Sequence, residues 1–93
     1  MTIDQLIQHL QVCKPTKVDD TSVWIDLSQG YRLIISRTDG NAWEHQVFMG
    51  EDETGWYAQD AGKEVYNSTI VSKVLSVVAG WKFLYEGEWP SWA

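Results

Sequence analysis

The stretch of residues 22–49, SVWIDLSQGYRLIISRTDGNAWEHQVFM, decides the fold that this chain adopts. In its first part, Ser22 to Leu27, every second side chain is aliphatic, which is typical of a strand with one buried face. A short turn then leads to a second strand, Tyr31 to Arg37. The dipeptide Asp39-Gly40 predicts a type I′ hairpin turn, because both residue types tolerate the positive φ angles that this turn needs. A third strand, Trp43 to Met49, is therefore expected to pair antiparallel to the second.

A helix is expected ahead of this stretch. Thr2 and Gln5 form a capping box, and apolar residues then recur at helical spacing. Pro15 forbids continuation of the helix, because proline lacks the backbone N–H and clashes with the preceding turn. Residues 2–13 are therefore predicted to form an amphipathic helix.

Another helix is expected after the stretch, over residues 68–80, where apolar side chains form one broad stripe. Ser68 or Asn67 is the expected cap of this helix. A stop or bend is expected at Gly80. Beyond that glycine, residues 81–92 form an aromatic tail in which acidic side chains are interspersed.

These elements predict one compact α+β domain that spans residues 1–93. It has an N-terminal helix, an antiparallel sheet of three to four strands, and a C-terminal helix with an aromatic tail. Residues 55–58 are the candidate for a short fourth strand, and the apolar run Leu33-Ile34-Ile35 indicates that the second strand lies in the middle of the sheet. Because each apolar face needs a cover, both helices are expected on one face of the sheet.

The composition indicates a protein that binds a basic protein surface. Thirteen acidic residues against seven basic ones give a formal net charge of -6. This charge repels phosphate backbones and anionic lipid, so direct binding to nucleic acid or to a membrane is not expected. Solubility is the alternative explanation of the charge. Six Trp are more than a core of this size needs, so some indole rings are expected to be exposed at a binding surface.

The single cysteine indicates a reducing compartment, because one thiol forms no intramolecular disulfide. The first residues contain neither a basic region nor a long apolar run. We therefore expect a cytoplasmic protein, located in the host cell cytoplasm if the gene is carried by a phage.

No pattern of catalytic chemistry is found in the sequence. It lacks a phosphate-binding loop, a dinucleotide fingerprint, paired CxxC motifs and an HExxH motif. His9 and Cys13 lie four residues apart on the first predicted helix, but a zinc site needs further ligands, and His45 on the hairpin has no fixed relation to them. The expectation is a protein that is not an enzyme, with no catalytic residues, no bound metal and no cofactor.

Three groups of short motifs match one family. The first helix contains Ile3-Asp4-Gln5-Leu6-Ile7, and the run Leu33-Ile34-Ile35 leads to the turn Asp39-Gly40-Asn41. A later segment runs from Thr69-Ile70-Val71 through Gly80-Trp81 to Tyr85, Glu86 and Glu88. In these motifs the chain resembles the small phage-encoded anti-CRISPR proteins, in particular a type II-A group that mimics PAM-containing DNA. The resemblance covers about half of the chain, and residues 50–66 have no counterpart in the family.

The resemblance implies a stoichiometric inhibitor that occupies the basic pocket in which an RNA-guided nuclease reads the PAM. It also implies that the turn and the tail acids make the contacts. The full set of expected partner-binding residues is Asp39, Gly40, Asn41, Glu44, Glu51, Asp52, Glu53, Tyr85, Glu86, Glu88 and Trp89.

The expected function is therefore that of an acidic inhibitor that blocks a basic nucleic-acid-binding groove of a partner protein by DNA mimicry. A CRISPR effector nuclease is the partner class that the resemblance implies. The alternatives are a toxin-neutralising immunity protein and a structural or adaptor subunit that uses a Trp-rich surface. The sequence leaves the identity of the partner and the oligomeric state open.

Overall fold

The computed structural model describes residues 2–37, 40–49 and 59–92, with the backbone alone for residues 59–61. In this part of the chain, five strands form one antiparallel sheet in the order β1-β2-β3-β4-β5. The elements are α1 (Ile3–His9), a 3-10 turn (Gln11–Cys13), β1 (Thr16–Asp19), β2 (Ser22–Asp26), a second 3-10 turn (Ser28–Gly30), β3 (Tyr31–Arg37), β4 (Ala42–Met49), β5 (Gln59–Asn67) and α2 (Val71–Glu86). The predicted α+β fold is confirmed, and β3 is the central strand as expected.

The sheet has five strands where three to four were expected, because both outer strands lack a recognisable side-chain pattern. All four residues of β1 are exposed, and its pairing with β2 is irregular between Lys17 and Asp19. The described side chains of β5 are mostly polar, and β5 is held by pairing with β4 along its length. Backbone hydrogen bonds form these strands, and such bonds leave no signal in the sequence. The candidate strand at residues 55–58 lies outside the described residues.

The first helix is shorter than predicted. The capping box is present: the Gln5 N–H donates to Thr2 Oγ1 at 3.1 Å, and the Thr2 N–H donates to Gln5 Oε1 at 2.8 Å. The α-helix ends at His9, however, and the chain tightens into a 3-10 turn that ends at Cys13. His9 and Cys13 therefore do not share a face of one continuous α-helix, as the sequence had suggested.

The second helix is longer than predicted and has a different start. It begins at Val71, and neither Asn67 nor Ser68 is its cap, because Ile70 occupies the cap position without a side-chain bond. Gly80 lies inside the helix, which ends at Glu86. The end is set by Gly87, whose φ of 76° is readily adopted by glycine and whose N–H donates to the Phe83 carbonyl at 2.9 Å. The predicted aromatic tail is therefore divided, since residues 81–86 are helical and only residues 87–92 form a C-terminal tail.

The core lies between one face of the sheet and both helices. Apolar side chains from β2, β3 and β4 point toward apolar side chains from α1 and α2, and together they exclude water. The buried cluster consists of Ile3, Leu6, Leu10, Val23, Ile25, Leu27, Leu33, Ile35, Trp43, Val47, Val74 and Val78. The opposite face of the sheet carries alternating side chains such as Trp24, over whose ring the Arg32 guanidinium lies at 4.4 Å.

The packing of α2 on β5 generates a test of the fold. A Cβ atom placed on Gly62 of β5 would lie 3.0 Å from the ring of Trp81, so Gly62→Ala forces the indole to move. We expect this substitution to lower the free energy of unfolding by about 1–2 kcal/mol. Gly80→Ala is the matched control, because nothing lies within 4 Å of a Cβ at that helical position. We expect the control to raise stability by about 0.5–1 kcal/mol.

Urea unfolding followed by circular dichroism measures both variants. A Gly62→Ala protein as stable as the parent would contradict the packing of Trp81 against β5.

Candidate functional site

Exposed aromatic side chains gather where α2 ends and the C-terminal tail begins. The rings of Phe83 and Trp89 stack with their centroids 4.4 Å apart at an interplanar angle of 13°. They remain 45% and 58% exposed, respectively. Glu88, next to Trp89, is exposed as well. We name Phe83, Glu88 and Trp89 the tail patch. It combines apolar rings with a negative charge, which is the composition that a basic and partly apolar protein surface would bind.

The tail is held against α2 by its last indole. Trp92 Nε1 donates to the carbonyl of Leu75 at 3.4 Å, and the Trp92 ring packs against the core. Between the tail and the helix lies a groove of about 630 Å³. Its lining residues are Ser72, Leu75, Ser76, Ala79, Trp89 and Trp92. Trp89 is therefore both a wall of this groove and part of the tail patch.

The end of α2 lies beside one end of β3 and β4. The rings of Tyr31 and Tyr85 have their centroids 4.4 Å apart, so Tyr85 contributes to packing between α2 and β3. Tyr31 pairs in register with Met49, the last residue of β4. The acidic residues Glu51, Asp52 and Glu53 follow Met49 in the chain and lie outside the described residues. The last residue of β4 therefore lies at the end of the sheet where α2 terminates.

The hairpin turn lies at the other end of α2. Gly40 has a φ of 64°, and its carbonyl accepts hydrogen bonds from the Arg37 guanidinium at 3.2 and 3.3 Å. The carbonyl of Asn41 accepts a bond from the Ser68 N–H at 2.9 Å, directly before α2 begins. Asp39 lies outside the described residues. An α-helix of this length spans about 24 Å. The structure therefore separates Gly40 and Asn41 from Tyr85, Glu86, Glu88 and Trp89.

Ion pairs already engage several of the acidic side chains. Glu44 pairs with Lys63 at 2.9 Å, and Glu86 pairs with Lys82 at 2.9 Å in a partly buried position. Elsewhere, Asp4 and Asp20 share Lys17, and Asp26 pairs with Arg32. Glu88 has no ion pair among the described residues. Of the predicted contact acids within the described part of the chain, Glu88 is the one whose charge is free to meet a partner.

His45 is fully buried, which sequence reasoning missed. Its Nε2 lies 2.6 Å from the Tyr66 hydroxyl oxygen, and the two rings stack at 5.3 Å. Burial lowers the pKa of His45 to about 3, and burial raises the pKa of Tyr66. A signal was present in the sequence, because His45 is in phase with the buried residues Trp43 and Val47 on β4. Both rings are therefore neutral near pH 7 and serve the core.

Cys13 is half-buried and packs against the core, and burial raises the pKa of its thiol. His9 is exposed at the end of α1. Within residues 2–37, 40–49 and 62–92, no three His, Cys, Asp or Glu side chains are close enough to hold a metal ion. None of the helices described here is long and apolar enough to cross a membrane.

No family model, curated protein or solved structure matches this chain.

The burial of His45 generates a pH-dependent prediction. The pKa of His45 is about 3 in the folded protein and about 6.5 in the unfolded chain. Above pH 6.5 both states are neutral at this residue. As the pH falls from 6.5 toward 3, only the unfolded chain binds the proton, so His45 lowers the free energy of unfolding by up to about 1.4 kcal/mol per pH unit.

His45→Gln introduces a neutral side chain of similar volume. It should remove this contribution of His45 to the pH dependence of the free energy of unfolding, measured by urea titration between pH 6 and 4. His9→Gln is the control for the loss of a histidine, because it makes the same replacement at an exposed position. Equal slopes in the parent and in His45→Gln would show that His45 is not buried as a neutral ring.

Proposed function

We propose that this protein is a stoichiometric inhibitor that blocks a basic nucleic-acid-binding groove of a partner protein, and that the tail patch makes the central contact. The partner class is a CRISPR effector nuclease, as the resemblance of the sequence motifs implies. The inhibitor competes with DNA for the groove and undergoes no turnover. The observation that carries the proposal is the exposed Phe83–Trp89 stack with the free carboxylate of Glu88 beside it.

The tail patch supports such a contact for energetic reasons. Stacked aromatic rings present a large, rigid apolar area whose burial is favourable and loses little conformational entropy. An acidic side chain beside them attracts the Arg and Lys residues of a groove that normally binds phosphates. Glu88 thus joins negative charge to exposed aromatic area at the end of α2.

The hairpin turn is a weaker candidate for the same contact. Gly40 and Asn41 lie at the start of α2, and the carbonyls of both residues already accept hydrogen bonds within the protein. Glu44, near the turn, is neutralised by Lys63. The proposal therefore assigns the central contact to the tail patch and leaves the turn a peripheral role.

The proposal is tested with a guide-loaded type II-A CRISPR nuclease and PAM-containing duplex DNA. We expect the protein to prevent DNA binding at an equimolar ratio, and we expect its affinity for the nuclease to fall as salt is raised, because acids replace phosphates against basic side chains. Electrophoretic mobility shift and titration calorimetry measure the two effects. DNA binding that persists at a tenfold excess of the protein would refute this partner class.

Variants of the tail patch identify the contact. Trp89→Ala should weaken binding about 30-fold, as expected when a central aromatic anchor is lost, and Glu88→Gln should weaken it about 5- to 10-fold, mainly by speeding dissociation, because its basic partner is left unpaired within the contact. Asp20→Asn is the matched control. It removes the same charge from a fully exposed side chain at the β1–β2 turn, near the opposite end of the sheet.

Association and dissociation rates from surface plasmon resonance distinguish these effects. A loss of affinity in Asp20→Asn equal to that in Glu88→Gln would mean that net charge alone governs binding.

A further inference from the structure

The outer edge of β5 carries backbone groups that point away from the sheet. β5 is the last strand in the sheet order, and no described strand lies beside its outer edge. The Ser68 N–H donates to the Asn41 carbonyl, and this pair of residues continues the β4–β5 register. The bond therefore shows which residues of β5 form their backbone hydrogen bonds with β4. In an antiparallel pair of strands, only every second residue forms backbone hydrogen bonds with the neighbouring strand. Gly62, Glu64 and Tyr66 are the residues of β5 that form such bonds with β4. Lys63, Val65 and Asn67 therefore direct their N–H and C=O groups outward.

The side chains beside this edge include exposed apolar groups. Val65 is 61% exposed on the open face of the sheet, and Leu84 of α2 is 67% exposed on the helix side. A strand edge with free backbone groups and apolar side chains is a template for pairing with another strand.

Two opposite charges near this edge have no ion pair among the described residues. Glu64 and Lys73 both line a pocket of about 370 Å³ between β5 and α2, yet their charged groups are not within ion-pair distance. The Lys73 ammonium instead lies 5.5 Å from the centroid of the Tyr66 ring. A strand that brings a carboxylate near the Tyr66 ring would pair with Lys73. If the same strand brings an ammonium group near Glu64, both charges gain an ion pair.

We propose that β5 pairs antiparallel with β5 of a second copy of this chain, about a two-fold axis at Val65. In this register Val65 lies opposite Val65 of the second copy, and Lys63 lies opposite Asn67. Each of these pairs exchanges backbone hydrogen bonds, because their N–H and C=O groups point outward. The result is one continuous sheet that runs through both copies, with the helices of both on the same face.

The charges select this register over its neighbours. An axis at Lys63 or at Glu64 would place two like charges directly opposite each other, which is destabilising. An axis at Tyr66 would place Val65 opposite the amide of Asn67, near the end of the strand, and would shorten the paired segment. The axis at Val65 opposes apolar to apolar and leaves no like charges facing each other.

The same register supplies the missing ion pairs. Glu64 lies directly across from Tyr66 of the second copy, and the Lys73 ammonium of that copy stands over the Tyr66 ring. Glu64 of each copy therefore reaches Lys73 of the other, in two symmetric ion pairs. A second copy carries both charges at the required positions, and this complementarity identifies it as the occupant of the edge.

Sedimentation and cysteine cross-linking test the proposal. At concentrations from about 10 to 500 μM, sedimentation equilibrium of the full chain should show reversible formation of a species with twice the 10.7 kDa chain mass. Val65→Pro should weaken this dimer at least tenfold without unfolding the monomer, because the lost N–H points outward and proline is tolerated in edge strands. Glu64→Lys should also weaken the dimer, and adding Lys73→Glu should restore it.

Single cysteines, introduced in a Cys13→Ser background, then test the register. Val65→Cys should form a disulfide-linked dimer under mild oxidation, because opposed residues lie about 5.5 Å apart between Cα atoms. Lys63→Cys and Asn67→Cys should not, since in this register each lies about 14 Å from the same residue of the second copy. The proposal is overturned if the chain stays monomeric throughout this range, if the dimer survives Val65→Pro, or if cysteine at 63 or 67 cross-links as readily as at 65. If the edge binds a segment of another protein instead, this chain alone would sediment as a monomer.

Discussion

The buried indole of Trp43 determines how the second helix lies on the sheet. Trp43 is 1% exposed, and its Nε1 donates to the carbonyl of Ser68 at 3.1 Å. Without that acceptor a buried N–H group would cost about 1–3 kcal/mol. The Ser68 N–H in turn binds the carbonyl of Asn41. These bonds hold the chain between β5 and α2 at the start of β4, and α2 can then run along the sheet until Tyr85 meets Tyr31 at the far end.

This course of α2 explains why the proposed surfaces are separate. The tail patch lies at the end of the helix, the hairpin turn lies at its start, and the β5 edge runs alongside it. A partner bound at the tail patch and a second copy at the β5 edge would contact different side chains. The same helix therefore allows one small domain to present an acidic aromatic surface and a strand edge together.

The net charge of -6 describes the local electrostatics poorly. Four basic side chains neutralise acidic side chains that lie close to them in the folded protein, namely Lys17, Arg32, Lys63 and Lys82. The exposed pairs among them add little stability, but all four reduce the field that a partner meets. Negative charge at Glu88 and Glu64 stays available, since neither has an ion pair within the described part of the chain. This distribution explains why the two proposals depend on those two residues.

The sequence by itself determined β2, β3 and β4 and the antiparallel pairing of β3 with β4, because alternation along Val23, Ile25 and Leu27 and the Asp39-Gly40 dipeptide are local signals. It also determined the capping box of α1. The outer strands and the continuation of α2 through Gly80 were decided by tertiary structure, since backbone pairing with a neighbour and the packing of Trp81 on Gly62 depend on residues distant in sequence. Composition likewise predicted an acidic, aromatic surface, but it did not show which acids are paired. The separation of Asn41 from Glu88 was set only by the packing of α2 along the sheet, because distances between remote residues arise from the folded core.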